Sequence, residues 1–569
     1  MHIPQNALFT TFILQLFFFL ASPSILSKDF SQIVVFDAGS SGTRVHVYNF
    51  HWDRFNIPRL DKTKIVLQTK RVKPGLSTLS ELSDMDIEKS VSDSFTSLLN
   101  FAKKYVALNN RLRTPVILKA TAGMRLIDIR KASKIMNACQ QQLLKSGFLF
   151  LEPTKWASII PGSEEAGLAW IAANYLNGTL DTKNNHNMMK NPTIGIIEMG
   201  GASSQVSFEI YDKNIYNTLD EHHRFKFKDF QNNMHYIYAM SYLGFGRDSA
   251  YNRLDTTLTS LKYDEDKNDD NKEKKDTTIY NPCHRKNYVK TFPLQNDRSS
   301  QIGRIHGSGN YEKCLSIISK ILFNASLTNQ PPYIPGTILD RDALLPSDKI
   351  PFVATEVFYY ARDDILKNKD QKYDHMKNNY LMNLLPKYSN NLGKLYCENS
   401  DDTRLWESNC FTIGFQTIFL QNIHVVGSSS KPPKALQSMS GVQVEWAIGA
   451  AVQHLASQAH HNNYNTITTT TTNSWSFSFS ETIFFAIIVT FAILCGLIIL
   501  AKFVSSTECL YTFGYQIFLY SGRNLNTSTR RRRKDGKNSD IKKPNTKGYD
   551  RVDENDNTSI DIELTNQSC

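Results

Sequence analysis

No pair among the eight cysteines of this 569-residue chain stands at a spacing used by zinc sites, which excludes a zinc-stapled fold. Basic patches interleaved with aromatics are also missing from the part that can fold. The net charge of +11 is therefore no argument for nucleic acid, because the run Arg530-Arg-Arg-Arg-Lys534 lies in a polar tail. Charge is absent from Ile483 to Ala501, a stretch long enough to cross a bilayer as a helix, so residues 481–503 are expected to span a membrane. The apolar run Leu8 to Leu20 has no Lys or Arg ahead of it and is followed by Ala21 and Ser22. It resembles a secretory h-region, and residues 1–27 are expected to be a signal peptide or an uncleaved signal anchor. Positive charge marks the cytoplasmic side. Residues 504–569 then form a cytoplasmic, basic, disordered tail, and residues from about 28 to 480 lie in a lumen or outside the cell. In such an oxidising compartment Cys283 can pair with Cys314, and Cys397 with Cys410, leaving Cys139 as a buried thiol. Asn177 and Asn324 open glycosylation sequons. The polar stretch 459–480, with Thr468 to Thr472, reads as a stalk.

The stretch Val34 to Tyr48 organises the rest. An apolar run ends in Asp37, a small turn follows with Gly39, Ser40, Ser41 and Gly42, and an alternating run returns from Val45 to Phe50. That pattern predicts a β-hairpin. Glycines let backbone N–H groups approach an anion, serines add donors, and a carboxylate at the strand end can hold a divalent cation. An ordinary polar hairpin turn would show the same glycines. Arg71 to Leu76 reads as a turn, and Leu82 to Leu108 has helical apolar spacing through Ile87, Val91, Phe95 and Leu98. Pro115 to Leu126 reads as a buried strand running into the small-residue turn Ala120-Thr121-Ala122-Gly123, a usual place for ligand groups; Thr121 and Arg125 are its polar candidates. After Pro161-Gly162, Ser163 is placed to cap a helix whose first turn holds Glu164 and Glu165. These acids either serve the helix dipole or supply a general base. Pro192 to Phe208 then repeats the first plan: an apolar strand ends in Glu198, glycines follow at Gly200 and Gly201, hydroxyls at Ser203 and Ser204, and a strand returns. Two such hairpins facing each other could grip a polyphosphate and one metal. Asp264 to Lys275 is a mixed-charge run that reads as a disordered insertion.

The repeat resembles the paired phosphate loops of the actin, sugar-kinase and heat-shock ATPase superfamily. Five stretches in order resemble the five regions of the nucleoside triphosphate diphosphohydrolases, or apyrases: 37–44, 120–126, 162–167, 198–205 and 441–449. Leu243-Gly-Phe-Gly246, Asn281-Pro-Cys283 and Gly307-Ser-Gly-Asn-Tyr311 look most like the Golgi-type branch. The resemblance implies an α/β fold of two actin-like or ribonuclease-H-like lobes around a nucleotide cleft. Lobe I would take residues 28–157 with a return at 437–458, and lobe II residues 158–436. It implies metal-dependent hydrolysis of the terminal phosphate of nucleoside di- or triphosphates, with Ca²⁺ or Mg²⁺ held by Asp37 and Glu198. Ser40, Ser41, Gly42, Gly201 and Ala202 would line the phosphates. Glu165 would be the general base, Ser203 and Gln205 would orient the water, and Thr121 would sit beside it. Arg247 and Tyr360 would sandwich the base, and Trp446 would support the cleft. Where the family usually has Asp, this chain has Glu198; Pro161 and Ala166 are further departures. The expected location is the Golgi lumen, or the outer cell face. A catalytically impaired nucleotide-binding protein is the alternative from another class, and a phosphotransferase a third.

Overall fold

The computed structural model describes residues 30–54, 57–63, 68–181, 192–267, 278–293, 302–323, 350–367, 384, 393–398, 409–423 and 433–472. The expectations for residues 1–27, Asn324, the span 481–503 and the tail 504–569 lie outside them. Among the described residues, no helix is long and apolar enough to cross a membrane.

The first sheet begins with three antiparallel strands, β1 (Phe30–Gly39), β2 (Gly42–Trp52) and β3 (Pro58–Leu60). A fourth, β4 (Thr69–Val72), pairs with β2. Then β5 (Val116–Ala120) lies parallel to β1, and β6 (Ala157–Ile159) parallel to β5. The second sheet repeats this plan. Strands β7 (Gly195–Met199) and β8 (Ser203–Glu209) form a hairpin. Strand β9 (Arg224–Lys228) pairs with β10 (Met234–Leu243), which pairs with β8. A small separate sheet holds β11 (Thr278–Asn281), β12 (Val289–Pro293) and β13 (Ile302–Gly307). Strand β14 (Phe352–Glu356) returns parallel to β7, and β15 (Lys434–Ala435) parallel to β14. In both sheets three antiparallel strands (β1–β2–β3 and β7–β8–β10) are extended by parallel strands on the side of the first, so the repeat seen in two hairpins reaches across both sheets; in the second, β9 adds an edge strand beyond β10.

Parallel strands need crossovers, and helices supply them. Helix α1 (Asp84–Tyr105) links β4 to β5; Ser83 caps it by accepting from the Asp86 N–H. Its buried face is Ile87, Val91, Phe95, Leu98, Leu99 and Ala102, at the three-and-four spacing expected from the sequence. Phe95 stacks on Phe36 of β1 at 5.1 Å between ring centroids. Each such buried phenyl ring contributes roughly 2–3 kcal/mol of transfer free energy. Helix α2 (Ile129–Leu144) links β5 to β6.

Helix α3 (Gly162–Asn177) is buried on all sides from Glu165 to Leu176. Pro161, rather than Ser163, is its N-cap, because the Pro161 carbonyl accepts the Glu165 N–H at 3.1 Å and starts the helix two residues earlier. Asn177, at its end, is exposed. Helices α4 (Arg247–Lys267), α5 (Tyr311–Leu322), α6 (Val357–Lys367) and α7 (Asn409–Asn422) follow. Residues 264–267, expected to be disordered, continue α4. Helix α8 (Trp446–Thr472) takes in residues 459–472 of the stretch read as a stalk, and residues 473–480 lie outside the described residues. Disulfides join Cys283 to Cys314 and Cys397 to Cys410, and Cys139 is a buried free thiol, as expected. One core cluster joins the first sheet to α1, α2, α3, α8 and one face of the second sheet through Ile194, Ile196, Ile237 and Ala239. A second covers the other face through Phe208, Phe358, Phe411 and Phe415.

At the ends of β8 and β10 remote from Ser203 and Leu243 lies a buried ion cluster. The His235 ring contacts Glu209 Oε1 at 2.7 Å and Asp229 Oδ2 at 3.3 Å. Burial alone would lower its pKa, but bonding to Asp229 and Glu209 outweighs it and raises the imidazole from 6.5 to about 9. A raised histidine stabilises the fold fully below its unfolded value and stops doing so as pH rises through its folded value. Such a shift is worth on the order of 3 kcal/mol. We therefore expect His235→Gln to be clearly less stable than wild type in urea unfolding at pH 6, and the gap to shrink by pH 10. A gap independent of pH would refute the charged cluster.

Candidate active site

Directly opposite residues of paired strands point to the same face, so the two sheets build their functional rows by register. In the first sheet Asp37 faces Arg44, and Arg44 faces Arg71. In the second, Glu198 faces Gln205, and Gln205 faces Ser241; on its other side Glu198 faces Thr355. The acids hold equivalent places, but the partner of Asp37 is a cation and that of Glu198 a neutral amide.

Turns finish both rows. Ser40 and Ser41 connect the facing residues Gly39 and Gly42. A side chain at Gly42 would lie 2.7 Å from Arg71 Nε, so only glycine lets the guanidinium lie across the turn. From there Arg71 Nη2 donates to Ser41 O at 2.9 Å and to its Oγ at 2.6 Å. In the second turn, N–H groups of Arg247, Asp248 and Gly244 donate to the carbonyls of Gly200, Gly201 and Ala202. The carbonyls are thereby held back, and the N–H groups of Gly201 and Ala202 have no backbone partner among the described residues. Gly246 permits this, since a Cβ there would lie 2.3 Å from the Ala202 nitrogen.

One cavity is lined by both turns, Asp37, Glu198, Thr121, Glu165, Ser203 and Gln205, together with Trp446. The structure thus brings together every residue expected for phosphate, metal, base and water. The two expected base-binding residues do not line it: the Arg247 guanidinium pairs with Asp248 at 3.1 Å, and Tyr360 is 41 % exposed on α6. Glu165 and Glu164 separate by partner. Arg125 Nη2 donates to Glu165 Oε2 at 2.7 Å, and its Nη1 to Ile160 O at 2.9 Å. Glu164 instead pairs with Lys119 at 3.3 Å and does not line the cavity. Gln205 Nε2 donates to Ser203 Oγ at 2.6 Å and Ser241 Oγ at 3.2 Å.

Four lining residues carry roles the sequence reading did not assign: Arg44, Arg71, Glu356 and Glu445. Arg71, in a stretch whose sequence reads as a turn, lies in β4, and its place opposite Arg44 depends on that pairing. Glu356 ends β14 with a φ of 57°, a left-handed conformation uncommon outside glycine. Glu445 accepts from Tyr48 Oη at 2.8 Å and contacts His46 Nδ1 at 3.2 Å, which fastens the returning segment to β2. Its position in the fifth motif was the available signal.

Five carboxyl groups (Asp37, Glu165, Glu198, Glu356 and Glu445) therefore face two guanidinium groups in this cavity. Burial pushes Asp37 up to about 7 although Arg44 Nη1 stands 3.6 Å from its Oδ2. Burial, then the nearby Glu356, Glu165 and Asp37, raise Glu198 well above the carboxylate range. Asp37 Oδ1 and Glu198 Oε2 are buried with no hydrogen-bond partner among the described residues. Unpaired hard oxygens in an anionic pocket suit a divalent cation. Among the described residues, no group of three His, Cys, Asp or Glu is placed to hold one alone.

Comparison with known proteins agrees with this chemistry. The family model described as GDA1/CD39 (nucleoside phosphatase) matches residues 25–467. "Probable apyrase 3" of Arabidopsis thaliana is 27% identical over 471 residues, covering 78% of this chain and 87% of that one. A "Guanosine-diphosphatase" of Saccharomyces cerevisiae is 33% identical over 232 residues, 41% of this chain and 42% of that one. A solved structure of nucleoside triphosphate hydrolases from Neospora caninum matches the fold with a TM-score of 0.51 at 16% identity, covering 75% of this chain and 93% of that one.

Proposed function

The chain belongs to the GDA1/CD39 (nucleoside phosphatase) family, and from that premise we propose that it removes the terminal phosphate of nucleoside di- and triphosphates with Ca²⁺ or Mg²⁺ bound. The observation that carries the reading is the single cavity in which two phosphate turns meet a buried glutamate and a clamped amide. Water is the nucleophile. Ser203 and Gln205 hold it, Glu165 takes its proton, a new P–O bond forms, and the bond from phosphorus to the leaving phosphate oxygen breaks. Phosphoryl transfer depends mainly on positioning and on charge neutralisation. The turn N–H groups, the Ser40 and Ser41 hydroxyls, Arg44 and Arg71 supply that neutralisation from the chain itself. Asp37 and Glu198 would hold the cation, with water and substrate oxygens completing its shell; when bound, it neutralises phosphate charge.

The match to a guanosine diphosphatase supports nucleoside diphosphates as substrates. The two disulfides support a catalytic segment working in an oxidising compartment, the Golgi lumen or the outer cell face; the uncharged stretch Ile483 to Ala501 is the ground for proposing a membrane anchor at residues 481–503. Base stacking between Arg247 and Tyr360 remains part of the proposal; the Arg247 N–H is bonded to Gly200 of the second turn, and Tyr360 interacts with the cavity residues Glu356 and Arg44.

Full-length protein in detergent should release phosphate from UDP, GDP, ADP or ATP when Ca²⁺ or Mg²⁺ is present and stop when it is chelated. Release that ignores the chelator would refute the metal's role. Nucleotide binding with no release from any of the four would refute the hydrolase.

A further inference from the structure

Resting on the reading of this chain as a water-activating hydrolase, we propose that Ser241 is a positioning residue for the attacking water, acting through Gln205. Ser241 lies directly opposite Gln205 across the β8–β10 pair. The Gln205 amide nitrogen has two hydrogens, and two hydroxyls stand within reach of it, Ser203 Oγ at 2.6 Å and Ser241 Oγ at 3.2 Å. Gln205 is 1% exposed, so this clamp is shielded from competing solvent. The terminal torsion of glutamine is intrinsically broad. One hydroxyl fixes one N–H and leaves the amide plane free to turn; two fix the plane. With both N–H groups occupied, Oε1 is the atom left to accept a hydrogen bond from water in the cavity that Gln205 lines.

Ser241 also touches the helix that carries the base. A Cβ at Gly162 would lie 2.4 Å from Ser241 Cβ, so glycine at the first residue of α3 makes room for this serine. Three residues on, Glu165 closes the first helical bond onto Pro161. One small side chain thus seats both groups that handle the nucleophile, the orienting amide by a hydrogen bond and the base helix by contact. The Ser241 Cβ serves the second task and its hydroxyl the first, which makes them separable.

Ser241→Ala keeps the Cβ and removes the hydroxyl. We expect its kcat to fall roughly fivefold, the rate equivalent of one neutral hydrogen bond, with KM for the nucleotide unchanged and the melting temperature modestly lowered by the buried Gln205 N–H left without its acceptor. On a Gln205→Ala background the same substitution should cost nothing further, because the group it positions is gone. A loss that persists in full on that background, or a rise in KM at constant kcat, would overturn the proposal. If Ser241→Ala fails to fold, Ser241→Cys, similar in size with a weak acceptor, is put through the same cycle. Its loss should likewise disappear on the Gln205→Ala background, and persistence there overturns the proposal. Wild-type turnover separates the two levels: inactive wild type refutes the hydrolase reading, whereas active wild type with unimpaired Ser241→Ala refutes only the role of Ser241.

Discussion

Glu165→Gln should lower kcat by about 10²- to 10⁴-fold, the usual range for a general base, while nucleotide binding is retained. The amide is chosen over alanine because it leaves Arg125 an oxygen to hold. Arg125 is anchored on the Ile160 carbonyl and engages Glu165 Oε2, so the carboxylate has one oxygen tied back and the other available to the cavity. A cation placed behind the base fixes its direction without entering the site. Glu164→Gln provides the control: its carboxylate is held by Lys119 outside the cavity lining, so turnover should change little. Phosphate release at saturating nucleotide, with binding measured separately, checks both variants. Glu165→Gln turning over within a few-fold of wild type would remove Glu165 from the mechanism, and a Glu164→Gln enzyme that fails would reassign the base.

What was legible in the sequence was whatever is encoded locally. Both hairpins could be read because a strand, a glycine turn and a returning strand occupy fifteen or so consecutive residues each. Asp37 and Glu198 could be paired because the repeat puts them at the same step. The residues one strand further across each sheet were not legible. Arg71 reaches Arg44 from β4, and Ser241 reaches Gln205 from β10, across chain separations that carry no period. Glu445 meets Tyr48 from nearly four hundred residues away. Local rules also misplaced two boundaries. Serine is a favoured cap, yet α3 starts earlier because the Pro161 carbonyl is available. The threonine-rich stretch has poor helix formers, yet α8 runs through it to Thr472. The substitution of Glu for the family's Asp at 198 raised a binding-only alternative. Its carboxylate still lines the cavity, opposite Gln205, and the match to a nucleoside phosphatase family does not favour that alternative.

Asp37→Asn and Glu198→Gln should each lower metal-dependent hydrolysis by about 10²-fold or more, as loss of a principal electrostatic group does. They should also stabilise the metal-free protein, and this second effect is the sharper test. A carboxyl whose folded pKa is raised favours the fold's protonated form, so the fold loses stability as pH climbs from the unfolded value toward the folded one. For Asp37 that window runs from 3.8 to about 7. Above it Asp37 is charged, and both acids are buried with Asp37 Oδ1 and Glu198 Oε2 lacking a hydrogen-bond partner among the described residues. A neutral amide of the same shape removes that cost. In chelator at pH 8 the two variants should therefore melt above wild type, and the advantage should fade on acidification through the window. Excess Ca²⁺ or Mg²⁺ should reverse the order, because only the carboxylates gain from the cation. Variants that are less stable than wild type in chelator would mean that these acids are held by the fold for its own sake. Variants that gain stability and keep full activity would mean that the site is built to hold something other than a metal.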